Sequence, residues 1–403
     1  MLSVSEAIAA ICENIEAFAA TDVALGDAQD LILAEAAISD VDSPPFDKAL
    51  MDGFAVLADN VADGRATLDL IEEVTAGRVP TKRVESGTTI QIMTGAPMPD
   101  GADAVVKVED SKIVGASVEL NTSAVRPGDN CISKGTSMRL DEAVLECGTP
   151  LLPPQIALLA EIGKASVSVR RRPQIAVLAT GDELVPIGET PGPGQIRNSN
   201  EAMLVAQIQR AGGEAVALGI ARDEPEHLRE CIERGLGCDM LLLSGGVSAG
   251  KLDLVPSVLA EANVGQIFHK VRVKPGKPLW FGVRSETDDS PRCHVFGLPG
   301  NPVSSMVCFE LFVRTAIRRL MGDDPCEPRP IKARLDSPHQ AKGDRPTYFP
   351  ARIEWTPSGP TVSLVKWHGS SDLRSTAQAN GMALVPAGDH QLAAGDSLEV
   401  FEW

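Results

Sequence analysis

The chain has 403 residues with 37 basic and 55 acidic side chains, a net charge of −18, 43% apolar residues and 4% aromatics. This length predicts two to four domains, each able to bury a core of its own, and excludes a single small module. So acidic a chain repels polyphosphate backbones and anionic lipid, so neither nucleic acid nor a membrane is an expected partner, and an anionic ligand must be met by a local basic pocket.

The first twenty residues have no basic leader, and Val4, Ile8, Ile11, Ile15 and Phe18 recur at helical spacing. That predicts an amphipathic helix rather than a signal peptide. The longest apolar runs, such as 175–179 and 240–243, fall far short of the roughly 18 residues of a membrane span, so a cytoplasmic protein is expected. Region 66–146 is rich in Gly, Pro and Thr and breaks into short runs (TLDLIEEV, TTIQIM, DAVVKVED, KIVGASVEL), the pattern of an irregular β lobe.

From 173 to 322, short runs of Val, Ile and Leu alternate with segments of helical period, as in a parallel sheet with crossover helices. Strands are expected at 175–179, 215–220, 240–243 and 294–297, and helices near 199–210, 225–235 and 254–262. A last helix should open with Asn301 as side-chain cap and Pro302 at its first position, and run to about Met321. Three prolines at 323–330 suggest a linker, and TYFPARIEW, TVSLVKW and SLEVFEW read as strands of a closing small β barrel or sandwich. The fold class is therefore multidomain α/β. Its parts are an N-terminal or linking domain (1–45 plus 141–172), an inserted β lobe (46–140), a central parallel α/β domain (173–322) and a C-terminal β domain (330–403). The eight cysteines show no CxxC pair and no His partner at zinc-ligand spacing, which reads as buried free thiols.

In an open α/β sheet, ligands bind beyond the carboxyl ends of the strands. There the chain carries Thr180-Gly181-Asp182-Glu183, Arg222-Asp223-Glu224-Pro225, Ser244-Gly245-Gly246-Val247-Ser248 and Leu298-Pro299-Gly300-Asn301-Pro302-Val303-Ser304. A further loop, Lys274-Pro275-Gly276-Lys277-Pro278, joins two intervening strands. Glycines and hydroxyls let backbone amides approach an oxyanion, and a helix start adds its dipole. Between Glu261 and Glu286 there is no acid but five basic residues, Lys270, Arg272, Lys274, Lys277 and Arg284. Either they serve an anion or some are solvated positions on an edge strand. Glu183, Asp223 and Asp253 bring oxygen ligands to the same loops, as a phosphate plus Mg²⁺ site requires, although any one of them alone would equally cap a helix or face water. Residues 245–252, GGVSAGKL, imitate a P-loop, but Leu252 replaces the hydroxyl that ligates Mg²⁺ there. None of the six histidines sits in a recognisable catalytic or metal arrangement.

Taken in order, Pro45-Phe46-Asp47, MDGFA (51–55), QIMTGAP (91–97), ATGDEL, SGGVS, VKPGKP and LPGNPVS resemble the molybdopterin molybdenumtransferases of the MoeA type, from about Val41 to Pro386. The resemblance implies an elongated homodimer of four-domain subunits, with one subunit's β lobe facing the other's α/β domain. It also implies insertion of molybdate into adenylylated molybdopterin with Mg²⁺-assisted release of AMP, giving molybdenum cofactor. By motif, Asp52 and Thr94 would belong to the facing lobe and Glu183, Asp223 and Asp253 to the α/β domain, with Glu183 and Asp253 holding the metal and orienting water. Lys274, Lys277 and Ser304 would hold molybdate, a dianion suited to such donors, and Arg345 and Ser371 would complete the pocket. Ser244, Gly245, Gly246, Ser248, Pro299, Asn301 and Pro302 would line it. Molybdopterin adenylyltransferase and molybdoenzyme acceptors are the implied partners. Where the family usually reads FDNSAMDGYA, this chain has Lys48, Ala49, Leu50 and Phe54, and Lys251 stands where an acid is common, two residues before Asp253. Two other readings are a binding scaffold that keeps the fold, and the preceding adenylyltransferase. The spread of acids and lysines over several loops weighs against the first, and the extra β lobe and C-terminal domain against the second.

Overall fold

The structure, a computed structural model, describes residues 1–246, 254–288 and 290–403. The chain divides into two compact units, a larger one of Met1–Ala34, Gly148–Leu152 and Val167–Trp403, and a smaller one of Glu35–Cys147 and Pro153–Ser166.

The larger unit opens with helix Val4–Asn14, started by a capping box in which Ser3 and Glu6 satisfy each other's backbone amides. Ala7 and Ile11 form its buried face. The helix ends at Asn14, short of the apolar repeat, because Ile15 is already extended there, though still buried.

At its centre lies a six-stranded sheet ordered Glu214–Ala221, Gln174–Thr180, Met240–Ser244, Cys293–Leu298, Trp280–Arg284, Val264–His269. The first four strands are parallel. The last two extend the sheet antiparallel, which is why no crossover helix separates them and the loop of residues 270–279 suffices to join them. Leu178, Leu241, Leu243 and Val295 are fully buried against Leu228, Ile232 and Leu236 of helix Pro225–Leu236 and against Val258 of helix Val255–Glu261. Burial on both faces explains why these strands read as unbroken apolar runs. From Gln174–Thr180 the chain goes first to one neighbouring strand and then to the other, so the topological switch, and with it a crevice, falls between the ends of Gln174–Thr180 and Met240–Ser244.

The last helix of this domain is not continuous. Helical residues Pro302–Cys308 pass into a π turn at Phe309–Val313 and resume at Arg314–Leu320. The wide turn holds Glu310, 5% exposed, where Gln207 Nε2 donates to it at 2.7 Å, Arg314 Nη1 at 2.8 Å, and Arg210 adds a third bond. A buried carboxylate needs that full set of donors.

A closed barrel of five strands follows, Ile331–Leu335, Gly359–Leu364, Thr347–Thr356, Gly381–Val385 and Ser397–Glu402, around Leu335, Ile353, Val362, Leu398 and Val400. Two of these strands, Ile331–Leu335 and Gly381–Val385, were not expected from the pattern. The smaller unit carries its own six-stranded sheet, ordered Ala104–Lys107, Gly53–Val56, Thr88–Ile92, Arg65–Val74, Ser117–Asn121, Ser111–Val114, with Phe54, Val56, Leu68, Val106 and Val118 packed on one side. Among the described residues no helix is long and apolar enough to cross a membrane.

Candidate functional site

At the switch point of the larger unit, a cavity of about 770 Å³ is lined by the ends of four elements: Thr180, Gly181 and Glu183; Asp223; Ser244, Gly245 and Gly246; and Pro299, Gly300, Asn301 and Pro302. Its walls are backbone brought into close contact, and glycine is what permits this. Gly245 (φ +97°) and Gly246 (φ +62°) are left-handed. A Cβ at Gly245 would sit 2.6 Å from the Thr180 carbonyl oxygen, and one at Gly246 2.7 Å from Thr180 Oγ1. Gly245 N–H donates to the Leu298 carbonyl at 3.2 Å, tying two strand ends together.

Glu183 folds its carboxylate back over Gly181, where a side chain would collide with it. Asp223 N–H donates to Asp182 Oδ1 at 3.2 Å, so the two acid-bearing turns brace each other. Inside the same cavity sequence reasoning missed Asn200 and Arg197. Asn200 Nδ2 donates to Ser244 Oγ at 2.7 Å and to the Gly300 carbonyl at 2.8 Å, linking the glycine loop to the Asn-Pro turn. Its signal was the Asn-Ser-Asn run at the start of helix Ser199–Arg210, where Asn198 takes the cap by accepting from Glu201 N–H. Thr180 Oγ1 and Asn200 Oδ1 are buried without a protein partner, polar atoms of the kind a ligand satisfies.

Ser371 lines the cavity, on a turn that Asp372 holds. Its carboxylate accepts from Ser375 N–H at 3.0 Å and His368 N–H at 3.1 Å; the Ser375 bond foremost holds the Asp372 carboxyl well below the usual carboxylate range. Asn301 sits at the helix start, but its side chain makes no cap bond, contrary to expectation. Val303 N–H instead donates to the Ser370 carbonyl at 3.0 Å and Ser305 N–H to the Asn301 carbonyl at 3.0 Å, so this helix start offers fewer amides to an anion than its sequence suggests.

Lys274, Lys277, Ser304 and Arg345 do not line this cavity. They gather about the neighbouring Lys-Pro-Gly-Lys-Pro loop, which reaches the cavity only through Pro278. The loop is splinted from two sides. Lys274 N–H donates to the Pro346 carbonyl and Tyr348 N–H to the Lys274 carbonyl, while Arg345 Nη1 donates to the Val273 carbonyl at 3.0 Å. Gly276 (φ +115°) packs so close to buried Cys308 that a Cβ would lie 2.5 Å from Sγ. Lys274 and Lys277 are exposed and Ser304 is buried beneath. Of the other basic residues in this run, Arg284 serves structure instead: it is 7% exposed and donates to the carbonyls of Leu236 and Pro291. Ser248 and Asp253, like Lys251, lie outside the described residues.

In the smaller unit, Asp52 accepts at Oδ1 from both Thr94 N–H and Thr94 Oγ1, each at 2.7 Å. The Thr94 backbone bond, then its hydroxyl, lowers the Asp52 pKa. Because the folded value is depressed, the stabilisation is present at neutral pH and is lost as pH falls through that value. Thr94→Val removes one of the two donors, so the Asp52 carboxyl is expected to titrate at higher pH, read by carbon NMR of its carboxyl; an unmoved midpoint would show that the backbone amide alone sets it. Phe54 is fully buried in the apolar core, so the ring at this position packs and does not face a ligand. Lys48 is half-buried and Ala49 buried on a short strand, whereas Leu50 is exposed. Of the eight free cysteines four are buried, three half-buried, and Cys147 is exposed, against the expectation of burial.

Three family descriptions match the chain: the MoeA N-terminal region, domains I and II, at residues 2–163; a probable molybdopterin binding domain at 176–319; and the MoeA C-terminal region, domain IV, at 332–403. A molybdopterin molybdenumtransferase of Nostoc is 33% identical over 391 residues, covering 92% of this chain and 86% of that protein. Molybdopterin molybdenumtransferase 2 of Mycobacterium tuberculosis is 33% identical over 416 residues and covers all of both. The crystal structure of a molybdopterin biosynthesis MoeA protein from Pyrococcus horikoshii superposes with a TM-score of 0.84 at 27% identity over the full length of both chains. With the fold, the three matched regions and full-length relatives agreeing, the chain belongs to the MoeA family of molybdopterin molybdenumtransferases, transferases of molybdenum cofactor biosynthesis.

Proposed function

We propose that the protein inserts molybdate into adenylylated molybdopterin and releases AMP, leaving the metal on the pterin dithiolene. The observation that carries this reading is the placing of an acidic, glycine-walled cavity beside a separate lysine loop. Glu183 and Asp223 line the cavity, and among the described residues Arg197 is the one cation lining it, so a phosphate entering it needs a further positive charge. Two lysines sit on the adjoining loop and Arg345 braces it from another segment, where a tetrahedral dianion would find its donors. The volume of about 770 Å³ lies within the range of pockets for nucleotide-sized ligands.

The donor set fits Mg²⁺. Glu183 and Asp223 offer hard carboxylate oxygens, and Mg²⁺ commonly takes one or two of these with substrate phosphates and water. Glu183 and Asp253 would hold it, and when bound it neutralises charge on the phosphate as the linkage to AMP breaks. The chain's own residues do the positioning. The Gly246 amide and Asn200 Oδ1 orient the nucleotide, Glu183 and Asp253 orient the attacking water, and Lys274, Lys277 and Ser304 keep molybdate beside the dithiolene. Asp52 and Thr94 of a second copy would close the cavity in a homodimer; exposed Phe46, Leu50 and Met51 beside Asp52 support a partner on that face. Molybdopterin adenylyltransferase would supply the substrate and molybdoenzymes receive the product.

The test is AMP release from adenylylated molybdopterin with Mg²⁺, with and without molybdate, followed by reconstitution of a molybdenum enzyme. Molybdate-dependent AMP and active cofactor are expected; binding of the pterin nucleotide without either product would make the protein a carrier. Lys277→Ala is expected to raise the molybdate concentration for half-maximal rate by about 10-fold or more, the worth of one charged hydrogen bond, with the saturated rate little changed. An unaltered concentration dependence would remove Lys277 from the molybdate site.

A further inference from the structure

Far from that cavity in sequence, the N-terminal helix and the proline-bearing linker bring two thiols together. Cys12 Sγ and Cys326 Sγ lie 3.4 Å apart across 314 residues of chain. Beside them stands Glu327, and the two sulfurs and a carboxylate oxygen all fall within 4.8 Å of one another, a cluster unlike any other among the described residues. Cys326 is 2% exposed and Cys12 half-buried, while Glu327 faces solvent. We propose that Cys12, Cys326 and Glu327 form a thiolate-carboxylate site for one Zn²⁺ or a similar thiophilic divalent ion.

The geometry is near what the ion needs. Two sulfurs at roughly 2.3 Å from a tetrahedral zinc are about 3.7 Å from each other, so a few tenths of an ångström of outward motion admits the metal. Closing a disulfide would need the sulfurs to move together by more than 1 Å, roughly, to about 2.05 Å, and would leave Glu327 without a part. The charges also close. Two thiolates and a carboxylate against a divalent ion leave one negative charge, and the Arg319 guanidinium, which acts on both thiols and is fixed by donating to the Ile15 carbonyl at 3.2 Å, supplies the balancing positive one. Binding releases the thiol protons to solvent, and the open fourth position takes water. The site would clip helix Val4–Asn14 to the linker ahead of the barrel.

The probe is Zn²⁺ itself, added to the reduced, metal-free full-length protein and followed by calorimetry, with Co²⁺ in its place for absorbance. One tight equivalent is expected per chain, with a thiolate-to-cobalt charge-transfer band of two-sulfur intensity. Cys12→Ser and Cys326→Ser should each weaken binding by more than the roughly 10–100-fold that loss of a supporting contact costs. Cys147→Ser, at an exposed thiol, should change nothing. Glu327→Gln, which leaves the packing intact, should weaken Zn²⁺ yet keep the two-sulfur band, so the proposal is tested even if a cysteine variant fails to fold. No tight equivalent in the wild type, or equal binding by all variants, overturns it. So does a reduced protein that refuses Zn²⁺ and closes a Cys12–Cys326 disulfide with oxidised glutathione.

Discussion

Glu183→Gln is expected to lower molybdate-dependent AMP release by a factor on the order of 10²–10³, the usual cost of removing one preorganised charge from a phosphoryl-transfer site, while binding of the pterin nucleotide persists. Glutamine keeps the length and the packing over Gly181 but cannot offer a charged oxygen. The same variant tests the proposed dimer. If each cavity is completed by the partner's Asp52, then Asp52→Asn and Glu183→Gln are each inactive alone. Mixed after unfolding and refolding together, half of their dimers carry one intact site, and about a quarter of wild-type activity returns, given symmetric pairing. Full activity of Glu183→Gln would sink its role as metal ligand, and two inactive variants with no recovery on mixing would place Asp52 outside the partner's site.

Gly53→Ala is expected to cost roughly 3 kcal/mol or more and to lower the unfolding midpoint of the smaller unit by on the order of 10 °C. Gly53 pairs with Lys107 across two antiparallel strands, and an added Cβ would fall on the Val106 carbonyl oxygen and 2.9 Å from its carbon. That neighbour is backbone in the middle of a ladder, so it cannot turn aside. A calorimetric midpoint within a degree or two of wild type would mean that the ladder opens at little cost. The three consecutive residues Asp52, Gly53 and Phe54 thus have three separate tasks: a hydrogen-bonded charge, a close backbone crossing and a core ring.

Those tasks mark what the sequence could and could not disclose. Fully buried parallel strands announce themselves as apolar runs, so Gln174–Thr180, Met240–Ser244 and Cys293–Leu298 were legible to within a residue or so. Helix Ser199–Arg210 was legible from its period and its asparagine cap. Loops rich in glycine at strand ends pointed to the cavity before its shape was known. Charge counting worked less well. Arg284 belongs to the same acid-free run as Lys274 and Lys277, but its partners are carbonyls brought in from Leu236 and Pro291, and no local pattern reveals a long-range acceptor. Asn200 was hidden because an amide at a helix start reads as a cap, and the Cys12–Cys326 contact because its halves lie at opposite ends of the chain. Strand Ile331–Leu335 escaped notice because its burial alternates and leaves a weaker run; Gly381–Val385, buried at four of its five positions, is a short run that opens on glycine, a residue poor in strand signal.

The splint on the lysine loop sets an order of events in synthesis. Lys274 leans on Pro346 and Tyr348, and Tyr348 belongs to strand Thr347–Thr356, which is held by pairing with Gly359–Leu364 and Gly381–Val385. A nascent chain that has finished its α/β sheet still has an unsplinted lysine loop until those strands have been made. The geometry of the lysine loop is therefore set late, by residues far downstream of it in the chain.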